Sequence, residues 1–229
     1  MNILSESNQL QTMEPGKVSD IKDHKVNSGL CASAKTPVIR LKEGIEIITM
    51  YEKKGRPNFS DSFLGQVFRR IVREESVYKL FYDGSVRNTR DFRIFMRNPD
   101  NEIFFVKSNG KEVGFFWLNN FRHKSFFINY CFYKEFWGET ALTISNICID
   151  HIFERTDSDG EFLVEVLLGL TPANNKLAVN FLLQNGMTIL GKVPGFLYDS
   201  NKDETVDGIF SYRERNKKVG FKMPSLFFL

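Results

Sequence analysis

The spacing of apolar residues divides the chain into an unpatterned arm, two amphipathic helices, an alternating run and a return to helix–strand units. Residues 1–36, including SESNQLQTMEPGKVSDIKDHKVNSG, show no apolar period and too little apolar surface to order themselves, so they read as a flexible arm. Order begins near Pro37, where VIRLKEGIEIITMY predicts a strand followed by a helical turn. In DSFLGQVFRRIVREE, Phe63, Val67 and Ile71 recur at every fourth position beside a second row of Leu64, Phe68 and Val72. That spacing predicts a helix, with Asp61 as its N-cap. TRDFRIFMRN predicts another, with Phe92, Phe95 and Met96 on one stripe.

The period then shortens. EIFFVKSNGKEVGFFWLNNF reads as two strands joined at Asn109-Gly110, a dipeptide suited to a tight hairpin because both turn positions need positive φ. KSFFINYCFY continues the meander as a third strand. In GETALTISNICIDHIFE, Ala141, Ile144, Cys148 and Ile152 keep helical spacing, as do Leu142, Ile149 and Phe153, so this helix should be largely buried. EFLVEVLLGL is rich enough in Val and Leu to be a central strand. TPANNKLAVNFLLQNGMTILGKVPG reads as a turn, a short helix stopped at Gly186 and a strand, and GIFSYRER closes the pattern. Strand–helix–strand units after an antiparallel meander define an α/β (α+β) domain over residues 37–229, with a mixed, mostly antiparallel central sheet and helices on both faces.

Composition narrows the function. Twenty-three Phe residues call for an aromatic-rich core. A net charge of +3 permits a polyanionic partner without demanding one. Three Cys and three His are scattered without CxxC or HxxxH spacing, so no metal is expected. The odd cysteine count and the apolar surroundings of Cys131 and Cys148 suit a reduced, cytoplasmic protein. No secretory leader and no membrane span are expected.

Candidate chemistry gathers at two helix starts. Asn174 and Asn175 open the short helix, where capping explains them as well as ligand contact does. Gly138 precedes the buried helix, whose first amides would favour phosphate. His151, on that helix, reads as a satisfied structural histidine.

From about Val38 to Arg215 this order of elements resembles the Gcn5-related N-acetyltransferase (GNAT) superfamily, which moves an acyl group from acyl-coenzyme A to an amine. The family commonly shows an Asn, an Ala three on, an aromatic four further and then a Gly-aromatic pair. Asn175, Ala178, Leu182 and Gly186-Met187 fall at those spacings, with Leu182 and Met187 in the aromatic places. The family's Q/R-x-x-G-x-G/A loop corresponds to EFWGETA, with Glu135 replacing Gln or Arg and Thr140 replacing Gly or Ala. The divergent motifs and long arm also resemble those of virus- and phage-encoded members.

The resemblance implies acetyl-CoA as donor, with its pyrophosphate against the amides of Trp137, Gly138, Glu139, Thr140 and Ala141. It also implies a pantetheine lying between FFINYCFY and EFLVEVLLGL, paired with the backbone of Cys131, Phe132 and Tyr133 and reached by Asn175. The family's usual acid, a Tyr at the Leu182 position, is missing. Tyr130 and Glu165 are then the candidates for proton handling, and Asn129 could orient a water. Glu165 either lies buried, with a raised pKa, or faces solvent.

Three functions follow. One is an acyl-CoA-dependent N-acetyltransferase acting on a small-molecule or protein amine. A second is a nucleic-acid-modifying relative using Arg69, Arg70, Arg73 and RERNKK to track phosphates. The third is a catalytically silent GNAT-like binding or structural module. The apolar tail MPSLFFL would either dock on a partner or pack against its own sheet.

Overall fold

A computed structural model describes residues 38–53 and 56–215. The expected arm and the MPSLFFL tail lie outside the described residues.

Strand β1 (Val38–Arg40) leads through a 3-10 turn at Lys42–Gly44 into β2 (Ile45–Thr49). The expected strand followed by a helical turn is therefore two antiparallel strands, because the turn lasts a single short loop and the alternating IEIIT resumes sheet pairing. Two-residue strands β3 (Glu52–Lys53) and β4 (Arg56–Pro57) form a separate ribbon. Helices α1 (Asp61–Arg73), α2 (Val77–Leu80) and α3 (Thr89–Arg97) follow. Ser60, and not Asp61, caps α1: its hydroxyl accepts from the Phe63 N–H at 3.1 Å. Asn88 caps α3 in the same way, accepting from Arg90 and Asp91.

The antiparallel meander comprises β5 (Glu102–Ser108), β6 (Lys111–Arg122) and β7 (Ser125–Phe132). Asn109 and Gly110 both take positive φ at the β5–β6 turn, as their residue types foretell. The remaining elements are α4 (Glu139–Phe153), β8 (Val166–Pro172), α5 (Lys176–Gln184), β9 (Thr188–Asp199) and β10 (Glu204–Glu214). The main sheet has eight strands in the order β1-β2-β5-β6-β7-β8-β10-β9. Every pairing in it is antiparallel except β7 with β8.

Helices cover both faces. Against one, α4 buries Ala141, Ile144, Cys148, Ile149, Ile152 and Phe153 on a floor that includes Phe104, Phe116, Ile128 and Phe132. Against the other, α1–α3 bury Leu64, Phe68, Ile71, Phe92 and Met96 on Phe105, Phe115 and Trp117. Stacked and edge-on rings fill both layers: Phe104 and Phe116 lie 4.7 Å apart, Phe95 and Trp117 5.2 Å. Each such pair adds about 0.5–1.5 kcal/mol beyond its buried area. Arg155, at the C-terminal end of α4, forks onto Glu102 of β5 at 2.9 and 2.6 Å and pins that helix across the sheet.

His151 departs from the sequence reading. Its Nε2 is buried without a hydrogen-bond partner among the described residues, and burial, aided by Arg155, pulls its pKa down to about 4. The neutral ring is thus the folded form. Its contribution to stability is present above the unfolded pKa of about 6.5 and fades as pH falls towards 4. His151→Leu should flatten the loss of stability over that window, as read by urea unfolding at successive pH values; an unaltered profile would place the acid sensitivity elsewhere.

Gly114 makes a second local demand. It has φ +152°, and a β-carbon there would collide with the carbonyl oxygen of Cys131. Gly114→Ala should therefore cost about 3 kcal/mol or more in chemical unfolding. A cost below about 1 kcal/mol would show that β6 and β7 can shift to admit the methyl group.

Candidate active site

The single parallel pairing in the sheet is short. Ser125, Phe126 and Phe127 of β7 stand beside Val166, Leu167 and Leu168 of β8, and the register ends there. The C-terminal halves, Ile128–Phe132 and Gly169–Pro172, do not pair with each other. Which backbone groups face this gap follows from strand alternation. Tyr133 donates its N–H to Val113 at 2.9 Å, so the odd residues of β7 turn to β6, and Tyr130 and Phe132 turn to the gap. On β8, Ala173 donates to Asp207 and Arg215 donates to Glu165, so the odd positions face β10 and Leu170 faces the gap.

This revises the expected pairing segment. The backbones of Cys131 and Tyr133 are committed to β6; only Phe132 of the three faces the gap. Its carbonyl is already taken by the Trp137 indole N–H at 2.7 Å. Tyr130, named for its side chain, offers the backbone groups instead. The parity was hidden in the sequence because the β6–β7 register shifts between Asn119 and Arg122.

The gap lies beside the start of α4. A 3-10 turn, Lys134–Phe136, links β7 to Gly138, which caps the helix with φ +85° and no side-chain cap bond. A β-carbon on Gly138 would meet nothing within 4 Å, so the approach to the amides of Glu139, Thr140 and Ala141 is open. Glu139 stands exposed in this first turn.

The turn is held from α1. Glu74 accepts the Lys134 N–H at 2.9 Å and pairs with Arg70 at 3.0 Å. Arg70 also reaches Glu135 at 2.5 Å, and its guanidinium lies 3.5 Å from the centre of the Tyr133 ring. Glu135, an acid where the family pattern has Gln or Arg, is therefore neutralised and drawn towards α1. Burial pushes the Tyr133 phenol well above its usual range.

Opposite, α5 brings Asn175 to the rim. Its Oδ1 accepts the Ala178 N–H at 3.2 Å, so it is a helix cap, and its Nδ2 has no hydrogen bond among the described residues. Leu182 is buried beside Met187 over Gly169. Phe181, a position sequence reasoning passed over, sets its ring against Tyr130 at 5.5 Å and Phe132 at 6.0 Å. A buried polar network lies behind it. Asn185 donates to the Phe181 carbonyl at 2.8 Å and accepts from the Ser145 hydroxyl, while Arg213 donates to the Asn185 carbonyl at 2.8 Å and to Asn146 at 3.0 Å. The network clamps α4, α5 and β10 together. Its members are scattered along the sequence, so no local motif announces it.

The proton-handling candidates separate. The Tyr130 hydroxyl is buried and has no hydrogen-bond partner among the described residues; burial first, then Cys148, hold its pKa well above the ordinary phenol value. Glu165 precedes β8 at the paired end of the two strands, where Arg215 grips it at 3.0 and 3.2 Å and lies over Phe162. The structure does not bring Glu165 to the gap. Asn129 turns to the other face and donates to Asn119 at 3.5 Å.

Of the two basic segments, Lys217 and Lys218 lie outside the described residues. Arg70, Arg213 and Arg215 all serve internal pairs, which leaves Arg69 and Arg73 as the exposed cations of the first segment.

No protein-family model and no curated protein matches the chain. Solved structures do. The RimL ribosomal L7/L12 α-N-protein acetyltransferase in complex with coenzyme A aligns with a TM-score of 0.60 at 11% identity, over 77% of this chain and 97% of that one. The microcin C7 self-immunity acetyltransferase MccE, in complex with acetyl-CoA and AMP, aligns at 0.57 and 16% identity, over 75% and 93%. A GNAT-family acetyltransferase from Bacillus anthracis aligns at 0.58 and 14% identity, over 79% and 99%. The chain therefore has the GNAT acyltransferase fold, and at these identities the likeness is one of fold.

Asn175→Ala should remove the cap of α5 and cost about 1 kcal/mol of folding stability. Stability unchanged within about 0.3 kcal/mol in chemical unfolding would mean that the cap bond carries no weight.

Proposed function

We propose that the chain is an acyl-CoA-dependent N-acetyltransferase. The observation that carries this reading is the parting of β7 and β8 beside the open, uncapped start of α4. The amides of Glu139, Thr140 and Ala141 suit a pyrophosphate, because a helix N-terminus offers unpaired N–H groups and partial positive charge. Tyr130 and Leu170 suit an amide-bearing pantetheine, which would take the place of a missing strand. The Asn175 Nδ2 stands free to donate at the rim. Glu139 is the one misfit, a negative charge in the phosphate-facing turn. Two of the similar structures are complexes with coenzyme A or acetyl-CoA, and acetyl-CoA is assigned here as the donor by that likeness.

The acceptor amine would approach from the opposite face, over half-buried Leu168, Leu170 and Phe210. The tip of the β9–β10 hairpin borders that face, where Ser200 donates to the Tyr82 carbonyl at 2.7 Å. In the transfer, the amine lone pair forms the new C–N bond, the C–S bond breaks, and the proton shed by nitrogen ends on sulfur. Tyr130, whose phenol has no hydrogen-bond partner among the described residues, is the proposed relay: it gives its proton to that sulfur, and the proton shed by nitrogen restores the phenol. Two free, buried thiols, Cys131 and Cys148, suit a cytoplasmic setting.

Leu182 in place of the family's Tyr favours a second reading, a silent module with the same fold. Calorimetry with acetyl-CoA separates the two. Wild type should bind, and Glu139→Gln should bind about two- to fivefold tighter as a repulsion worth about 0.3–1 kcal/mol is removed. Tyr130→Phe should keep donor binding and slow transfer to any amine the protein accepts. Absence of binding at millimolar acetyl-CoA would overturn the enzyme reading in favour of the silent module.

A further inference from the structure

Among the described residues, strand β9 is an unshielded edge. It pairs with β10 alone, runs for 12 residues, and exposes Ile189, Leu190, Val193, Phe196 and Tyr198, with Leu190 at 62% and Phe196 at 51%. Its one lysine, Lys192, is drawn onto Asp207 at 2.9 Å. A long apolar edge with open N–H and C=O groups tends to recruit another strand, and short edges, free lysines or bulges usually prevent it. Here two register shifts interrupt the edge, one at Leu190 and a wider one over Pro194, Gly195 and Phe196, and both leave apolar side chains outward, with Leu190 and Phe196 the most exposed among them.

We infer that the chain's own C-terminal segment, residues 216–229, is the strand that covers this edge, lying parallel to β9. Three features point to it. The first is where β10 ends. Tyr212 stands opposite Thr188, the first residue of β9, so the chain leaves the sheet one strand away from the start of the vacant edge. The second is reach. Stepping past β9 takes about 10 Å, two strand spacings, and NKKVG can span about 16 Å. The remaining FKMPSLFFL spans about 30 Å extended, most of the ~40 Å length of β9.

The third is chemistry. Phe221, Met223, Leu226, Phe227, Phe228 and Leu229 match the apolar edge. Asn216 and Gly220 flank the crossing, where a reversal needs turn formers. Pro224 lacks an N–H and suits a strand with water on its far side, where it also blocks further strand addition. Residues 1–37 suit the edge poorly: they are polar and lead into β1, at the opposite end of the strand order. The inference is independent of the acyltransferase reading.

Residue-resolved amide exchange on the full chain, with light scattering on the same sample, tests it. In a monomer, the outward-facing amides of residues 189–198 should be protected. The double variant Phe227→Asp, Phe228→Asp should speed their exchange at least tenfold and leave β8 and the amides bonded to β10 unchanged. Phe196→Asp, made on the edge itself, should have the same effect. Three outcomes would overturn the proposal. Fast exchange at these positions in wild type would mean that nothing covers the edge. Protection indifferent to the tail substitutions would exclude the tail. Protection lost on dilution of a dimer would assign the edge to a second copy of the chain.

Discussion

The short parallel pairing between β7 and β8 is the constraint on which the rest of the molecule depends. It joins two antiparallel blocks, β1-β2-β5-β6-β7 and β8-β10-β9, by three residues on each strand. A parallel pair cannot be closed by a hairpin, so the chain must cross over, and α4 is that crossover. The helix consequently begins where β7 ends, at the wide end of the gap. Its unpaired amides and the unpaired strand edges therefore fall at the same place. That coincidence follows from topology, and it needs no special residue beyond a glycine at Gly138 that admits φ +85°.

So narrow a seam needs outside support, and it comes from charges placed at three sides. Arg155 and Glu102 tie the far end of α4 to β5. Arg213 gathers Asn146 of α4 and the end of α5 onto β10. Arg70 and Glu74 hold the turn between β7 and α4 against α1. Each arginine has more than one acceptor or a ring beneath it, which suits a planar fork more than a lysine. The gap is thus framed by fixed groups and lined by aromatic ones, with Phe181 set against Tyr130 and Phe132.

Legibility in the sequence tracked the locality of the cause. The Asn109-Gly110 hairpin, the buried face of α4 and the stop at Gly186 each depend on a few neighbouring residues, and each was readable. The β1–β2 hairpin was not, because its three-residue first strand is too short to show a period. Within the candidate site, Gly138 and Asn175 stand at the starts of α4 and α5, where the local sequence pattern puts them. The gap-facing parity of β7 was missed by one residue, since it depends on a register shift in the neighbouring strand. From its apolar sequence neighbours Glu165 reads as either a buried base or a solvent-facing strand residue. In space Arg215, 50 positions away, claims it. Tertiary partners of that kind leave no trace in a local window.

The same distinction decides how the two acids of the EFWGETA turn should be read. Glu135 stands at the pattern's Gln/Arg position and Glu139 at its open position between Gly138 and Thr140, and sequence alone gives both charges equal weight against a phosphate. Their surroundings differ. Glu135 belongs to a network in which Arg70 answers it, with Glu74 and the Tyr133 ring holding that guanidinium in place, so its charge is spent inside the protein. Glu139 is exposed at the first position of the helix, and no ion pair involving it is found among the described residues. An acid there favours the free helix, because it complements the partial positive charge that a bound anion would otherwise use. In the proposed site Glu139 would therefore favour the empty state over the filled one, whereas the Glu135–Arg70 pair holds the turn. Among the described residues the turn therefore holds one unanswered negative charge, not two.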